Sequence, residues 1–446
     1  MPIKKVSVLG LGQSGKACAN LAVSLGFSVF ASDAGPKRII KGLNKEVVCE
    51  FGGHSKKVLE ADLIIKSPGI KSDCAILKQA LKAKIKVMSE MEFGLKFSKY
   101  KKIIAVTGTN GKTTVTDLIG KIIKSHFKDS QVCGNIGMPV CEIANQTTKD
   151  TILTIETSSY QLEDSPEFKP NIAVFLNIDK DHIEHHKTMA NYIKAKKIIF
   201  ANQTKNDFAI LNLDDKIVSK FTPRSKAVFF SKNPLTKVQK AKLENFVYYD
   251  FGVLFFQIQG RKFSIKPKIK IPGKHNVENI LAAAAAAFCA GAPKENIEKT
   301  ISKYKGMAHR IEFVKNINGV SFYNDSKATN VSAASVALES FDKNIWLIMG
   351  GQDKKFPYAS LADLVKKKVK GILLIGEAAP LIKKDLEHTT TFYECNTLQK
   401  AVELSFKLAK SGDIVLLSPA CASWDQFKNF EQRGALFKKI VNAKRS

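Results

Sequence analysis

The sequence predicts an α/β protein of three domains, and three stretches carry that prediction. Near the start, residues 6–9 read as a strand that runs into Gly10-Leu11-Gly12-Gln13-Ser14-Gly15 and then a helix. At Ile103, four apolar residues lead into Thr107-Gly108-Thr109-Asn110-Gly111-Lys112-Thr113-Thr114 and a second helical pattern. In the last third, short apolar runs at 345–349, 372–375 and 414–417 end in Gly, Ser or Pro before a helix. Strand, flexible turn and helix make the unit of a doubly wound sheet, whose ligand edge lies at the carboxyl ends of the strands. The expectation is a Rossmann-like N-terminal domain over 1–98, a central P-loop-type ATPase domain with a parallel sheet over 99–303, and a C-terminal Rossmann-like α/β domain over 304–446.

The central stretch has the layout of a phosphate-binding loop. Backbone N–H groups at a helix start point at phosphate oxygens, and the glycines let the backbone approach a bulky anion. Lys112 offers a point charge to the outer phosphates, and the Thr113 hydroxyl can ligate Mg²⁺. The spacing departs from the strict Walker pattern, because Val106 stands where its first Gly belongs.

Composition narrows the partners. The chain has 446 residues, a net charge of +29 and a hydrophobic share of 44%, ample for several cores. Nucleic acid is not expected. Of the 70 basic residues, the arginines are only Arg38, Arg224, Arg261, Arg310, Arg433 and Arg445, and base and phosphate readers lean on Arg forks. The lysines are spread along the whole length, which suits solvated faces and a general pull on anionic substrates. No membrane span is expected, since the longest apolar run, 280–292, is short and mostly Ala. It reads as a packed helix ended before Pro293. The 8 cysteines form no CxxC pair and read as reduced thiols of a cytoplasmic protein.

In chain order, residues 3–33 give strand, GxGxxG turn, helix and a second strand ending at Asp33. Alone, this predicts NAD and hence a dehydrogenase; the same geometry suits the diphosphate and ribose of a UDP group, with Asp33 holding a hydroxyl. Strands follow at 61–66, turned by Pro68-Gly69, and at 85–88. The segment FGLKFSKYKK lacks strong periodicity and reads as the link to the second domain. There, Gly134-Asn135 is a turn, and a strand ending at 155 runs into Glu156, the expected place for a metal ligand. The strand 172–176 leads to Asp179, Asp181, His182, His185 and His186. Oxygen-rich surroundings without Cys favour one His beside Mg²⁺ over a zinc site. A helix over 189–202 carries Lys194, Lys196 and Lys197, which read as a solvated face. Residues 247–271 alternate as hairpins, and Asn276 and Asn279 share a face of the next helix, where two amides can read a purine edge. Arg310 precedes another hairpin. Asn324-Asp325-Ser326-Lys327-Ala328-Thr329-Asn330 then opens a helix as a second anion-binding start.

Taken together, VTGTNGKTT, GNIG, ETSSYQLE, NIDKDHIEHH, KHNVENILAA, HRIE, NDSKATN, GGQDK and SPACASWDQFKNFEQRG closely resemble the ATP-dependent Mur ligases, from Gly10 to Gly434. NDSKATN and the last motif resemble the branch that adds D-glutamate. The resemblance implies that ATP phosphorylates the carboxylate of UDP-N-acetylmuramoyl-L-alanine, and that the amine of D-glutamate attacks the acyl phosphate through a tetrahedral intermediate. Gly108, Thr109, Asn110, Gly111, Lys112, Thr113 and Thr114 would hold the ATP phosphates, and Asn276, Asn279, Arg310 and Asp325 the rest of the nucleotide. Thr113, Glu156 and His182 would bind Mg²⁺, with Lys196 carbamylated beside them. Gln13, Ser14, Asp33, Gly69, Asn135 and Gln161 would contact the UDP substrate. Lys327, Thr329, Lys354, Ser423 and Phe430 would surround D-glutamate, and Lys112, Glu156, His182, Lys196 and Lys327 carry the chemistry. A monomer is expected. Trp424 stands where the family usually has a smaller apolar residue, which implies a reshaped glutamate pocket. Another Mur-type amino-acid ligase is the nearest alternative.

Overall fold

The computed structural model describes residues 3–71, 73–353 and 356–444. It contains three sheets. The first is wholly parallel, in the order Val48–Phe51, Ser28–Asp33, Lys5–Leu9, Leu63–Lys66, Lys86–Ser89. This is the doubly wound order, with its switch point beside Lys5–Leu9, where the Gly10–Gly15 turn opens the helix Gln13–Ser24. Every residue of Leu63–Lys66 is buried, so the strand reads as one apolar run that ends on Lys66. Lys66 is itself buried and pairs with Asp164.

The second sheet has nine strands in the order Arg261–Ile265, Val253–Ile258, Phe246–Asp250, Lys226–Ser231, Phe208–Asn212, Ile172–Phe175, Lys102–Thr107, Ile152–Glu156, Ser130–Gly134. The first three pair antiparallel, as the hairpin pattern predicts, and the rest are parallel. Lys102–Thr107 lies between Ile172–Phe175 and Ile152–Glu156. The carboxyl ends of these neighbours therefore place the Gly108 loop, Glu156 and the Asn177–His182 stretch along one edge. The Ala-rich helix spans Lys274–Ala290 and stops before Pro293, with Gly291 at φ +104.

The third sheet runs Glu312–Ile317, Val320–Asn324, Ile414–Leu417, Ile345–Gly350, Val369–Ile375, Thr391–Asn396. Its first pair is an antiparallel hairpin and the remainder is parallel. Contacts divide the chain into two compact units. One joins Met1–Pro267 with Glu278–Ile301, so the first two sheets share a unit; the other joins Lys268–Val277 with Ser302–Ser446. Among the described residues no helix is long and apolar enough to cross a membrane.

The first half of the stretch expected to be a link, residues 93–102, belongs to a helix, Glu90–Phe97, capped by the Ser89 side chain on Glu92 N. Its apolar residues face two cores. Met91 belongs to that of the central sheet and Phe93 to that of the first sheet, so no single stripe shows in the sequence. Between them Glu90 is buried; burial pushes its carboxyl up to about 7, although it accepts a hydrogen bond from Cys141 N at 2.7 Å. Gly94 lies against the short helix Val140–Ile143. A Cβ there would come within 2.8 Å of Cys141 N and 2.9 Å of the Val140 carbonyl carbon. Gly94→Ala is expected to lower stability by about 1–3 kcal/mol, the usual cost of overpacking against rigid backbone. Gly12→Ala, where a Cβ meets nothing within 4 Å, should leave the urea midpoint unchanged. Equal midpoints for both variants would mean the helix has room to shift.

Candidate active site

The loop after Lys102–Thr107 is shaped by two glycines. Gly108 has φ +152 and its Cβ would meet Leu176 Cβ at 2.9 Å; Gly111 has φ +83 and its Cβ would meet Asn279 Oδ1 at 2.4 Å. Only Gly satisfies the backbone angle and the space at either position. Gly111 then starts the helix Lys112–Lys124 with no side chain capping it, which leaves the position open to an anion. Lys112 Nζ folds over the loop, donating to Gly108 O at 3.0 Å and Thr109 O at 2.8 Å. The neighbouring strand end pins the loop from outside. Asn110 N donates to Asn177 Oδ1 at 2.8 Å, and Asp179 N donates to Thr109 Oγ1 at 3.0 Å. Thr113 and Thr114 are buried on the first turn.

Glu156 ends its strand fully buried. Its Oε1 accepts from Asn135 Nδ2 at 2.8 Å, whereas Oε2 is buried with no hydrogen-bond partner among the described residues. An unpartnered buried carboxylate oxygen is costly and calls for a cation. Oxygen donors from Thr113 and Glu156 together with His182 fit Mg²⁺. His182, at φ 52, caps the short helix Ile183–His186. Its Nδ1 lies 3.3 Å from Tyr160 Oη and its Nε2 3.4 Å from Asp181 Oδ2. Burial lowers its pKa, and Lys196 and Lys112 add to this against the opposing pull of Asp181.

Lys196 overturns the solvated-face reading that its helix pattern suggests. Lys194 and Lys197 are exposed, but Lys196 is 1% exposed. Its Nζ donates to Gly108 O at 2.8 Å and Thr107 Oγ1 at 3.3 Å. Burial and the nearby Lys112 charge hold its amine well below the ordinary lysine range, against the pull of Asp181 and Glu156. A cleft of about 1060 Å³ brings Gly69, Lys112, Asn135, His182 and Lys196 onto one lining.

The other residues expected at the UDP substrate are placed less simply. Gln13 is exposed and Ser14 half-buried at their helix start. Asp33 is already engaged: it accepts from Leu11 N at 2.7 Å and Gly35 N at 2.8 Å, and pairs with Arg38. Burial raises its pKa, but these donors prevail and hold it below the usual carboxylate value. Gln161 is buried in a capping box, its Oε1 accepting from Ser158 N and Oγ at 3.0 Å. The expectation that Gln161 contacts substrate therefore meets a helix cap that occupies its oxygen.

In the second unit, Asp325 is buried between Ser418 Oγ at 2.8 Å and Ile311 N at 3.2 Å. Burial pushes its carboxyl up to about 7, despite those donors and the charges of Arg310 and Arg433. Arg310 is half-buried. The helix expected at Asn324 starts only at Val331, and Asn330 Oδ1 caps it by accepting from Ala333 N at 2.8 Å. That start therefore has one of its first-turn N–H groups taken by its own side chain. Lys327 Nζ lies 5.8 Å from the Phe430 ring centroid, and Thr329, two residues after Lys327, is half-buried. Ser423 is buried, while the neighbouring Trp424 is 64% exposed. Asn276 Nδ2 donates to Pro272 O, closing its own turn rather than standing open to a base. Lys354 lies outside the described residues.

Family models match in chain order: the Mur ligase MurD-like N-terminal domain over 4–89, the Mur ligase middle domain over 106–287 and the Mur ligase glutamate ligase domain over 309–421. A curated relative from Elusimicrobium minutum, UDP-N-acetylmuramoylalanine–D-glutamate ligase, is 45% identical, covering 99% of this chain and 98% of the relative. The chain belongs to the Mur ligase family. A relative of the same name from Caldicellulosiruptor bescii is 42% identical over 98% of this chain and 97% of its own. Among solved structures, the UDP-N-acetylmuramate-alanine ligase of Thermotoga maritima superposes with a TM-score of 0.60 at 17% identity, covering 100% of both chains. A pseudomurein peptide ligase from Methanothermus fervidus gives 0.58 at 19%, covering 98% of this chain and 99% of that one. At those identities the structures support the shared fold. Membership removes the dehydrogenase alternative for the Gly10–Gly15 turn.

This Mur ligase also holds residues that the sequence did not single out. Tyr160 packs its ring against His182, His185 and His186 at centroid distances of 5.1, 4.4 and 5.6 Å. Arg433, 1% exposed, donates to Ser326 O at 2.9 Å and Cys421 O at 3.0 Å, tying together loops that carry Lys327 and Ser423. Its signal was a scarce Arg in a Lys-rich chain. The buried Lys196 amine also predicts a pH effect. Its folded pKa lies below that of the unfolded chain, about 10.4, so between the two values unfolding takes up a proton and stability rises with pH. Without Mg²⁺ or bicarbonate, the stability of the wild type minus that of Lys196→Met is expected to grow as pH rises toward the unfolded value of about 10.4. Urea midpoints across that range measure it, and a flat difference would show a charged amine.

Proposed function

We propose that the protein is an ATP-dependent ligase that forms the amide bond between UDP-N-acetylmuramoyl-L-alanine and D-glutamate in peptidoglycan precursor synthesis. The observation that carries the chemistry is one sheet edge holding an uncapped phosphate loop, the bare Glu156 oxygen and a buried amine with a depressed pKa. The substrates follow from relatives named for that reaction, matched over nearly the full length.

A carboxylate is a poor electrophile, so the reaction begins with its attack on the terminal phosphoryl group of ATP, giving an acyl phosphate and ADP. The amine of D-glutamate then adds to the acyl carbon, and the tetrahedral intermediate expels phosphate. Lys112 and the loop N–H groups hold the phosphoryl oxygens as charge builds on them. Thr113, Glu156 and His182 are the residues that would hold Mg²⁺, which when bound supplies positive charge beside those oxygens. Asn135 fixes the Glu156 rotamer through Oε1. We assign Gln13, Ser14, Gly69 and Asn135 to the UDP substrate, and Asn279, Arg310 and Asp325 to the nucleotide. Lys327, Thr329, Ser423 and Phe430, with Lys354, are assigned to D-glutamate. The unpaired cysteines and small charged substrates suit a monomer working in the cytoplasm.

Phosphate release with UDP-N-acetylmuramoyl-L-alanine, ATP and a panel of L- and D-amino acids tests the assignment. D-glutamate is expected to stimulate it alone; another amino acid doing so would identify a different Mur-type ligase. Lys112→Ala should abolish turnover while calorimetry shows nearly unchanged affinity for the UDP substrate.

The amine of Lys196 suits carbamylation. In its neutral form it can add to CO₂, releasing a proton and leaving an anionic carbamate beside the proposed metal residues. Lys196→Ala is then expected to lose activity and to recover part of it with added formate or acetate, whereas Lys194→Ala stays active. Loss that ignores added carboxylate would leave Lys196 as a plain amine.

A further inference from the structure

We propose that Glu163, His185 and His186 form a binding site for a Zn²⁺-class divalent ion, separate from the oxygen-rich set at Glu156. Ligand atoms of the three side chains lie within 4.8 Å of one another. His185 Nε2 is already 2.8 Å from Glu163 Oε2, and His186 Nε2 lies 2.9 Å from Ser159 Oγ. The site is built on two fixed elements. The capping box of Ser158 and Gln161 locks the helix Ser159–Glu163 that ends on the carboxylate. The two imidazoles come from Ile183–His186, whose ring positions are set by Tyr160 and Ser159.

Two imidazoles and one carboxylate are a donor set for zinc rather than for Mg²⁺, which prefers oxygen and keeps its waters. All three residues line the same cleft as Lys112 and Lys196, so an ion has a way in. An ion bound there would take the place of the His185–Glu163 hydrogen bond, with neutral imidazole as the ligand. Burial of His186 beside half-buried His185 limits competition from water. None of these residues has a part in the ligase steps above.

The test uses the full-length, chelator-treated protein in excess Mg²⁺. Calorimetry with Zn²⁺, and visible absorption with Co²⁺ as a spectroscopic stand-in, are expected to show one ion per chain. His185→Ala and Glu163→Gln should each weaken binding by at least about tenfold, since loss of a mere outer partner already costs that much. His182→Ala and His388→Ala should leave it unchanged. Thermal melts verify that each variant folds. The proposal is overturned if the wild type binds no Zn²⁺ in excess Mg²⁺, if binding survives both substitutions, or if His182→Ala removes it, which would place the ion in the Mg²⁺ set.

Discussion

Two lysine side chains converge on one carbonyl oxygen. Lys112 and Lys196 reach Gly108 O from different helices, at 3.0 and 2.8 Å. Two ammonium groups around a single acceptor, one of them without access to water, cannot both keep their charge at modest cost. Lys112 sits at the loop mouth, and its charge suits phosphate. Lys196 lies behind the loop, where burial and the Lys112 charge push its pKa down. The rest of the edge follows from this division. Among the described residues Glu156 Oε2 has no donor, and burial, helped by both lysine charges, lowers the pKa of His182. The site holds its charges in wait for phosphates and a cation.

Much of this architecture was legible in the sequence, for a definite reason. Where strands are buried on both faces, as at Leu63–Lys66 and Lys102–Thr107, the apolar run and the Gly turn after it stand out. Two edge strands were missed for the opposite reason. Val48–Phe51 and Thr391–Asn396 are partly exposed, carry Glu50 and Glu394, and pair on one side only. The helix Glu90–Phe97 was missed because it divides its apolar residues between two cores.

The site divides in the same way. Loop chemistry depends on residue types at fixed spacing, so Gly108 to Thr114 could be read directly. Tertiary neighbours decide the rest. Lys196 differs from Lys194 and Lys197 only in where the helix faces, and the family resemblance alone marked it. Asp33 and Gln161 have the right chemistry for ligands, and the fold adds partners the sequence does not show: Arg38, Leu11 and Gly35 on one, Ser158 on the other. Arg433 could not be recognised, because its role is to satisfy backbone carbonyls that only the folded loops bring together.

The helix shared by two cores has a mechanical consequence. With Met91 in one core, Phe93 in the other and Gly94 pressed against Val140–Ile143, the first two sheets cannot slide past each other without opening both interiors. Lys66, paired with Asp164, rivets the same joint. The Gly69 turn and the Lys112 loop, on one cleft lining, thus stand on two sheets joined through both interiors. A molecule long enough to reach from that turn to the phosphate loop would then meet a ruler built from packing rather than from any one contact.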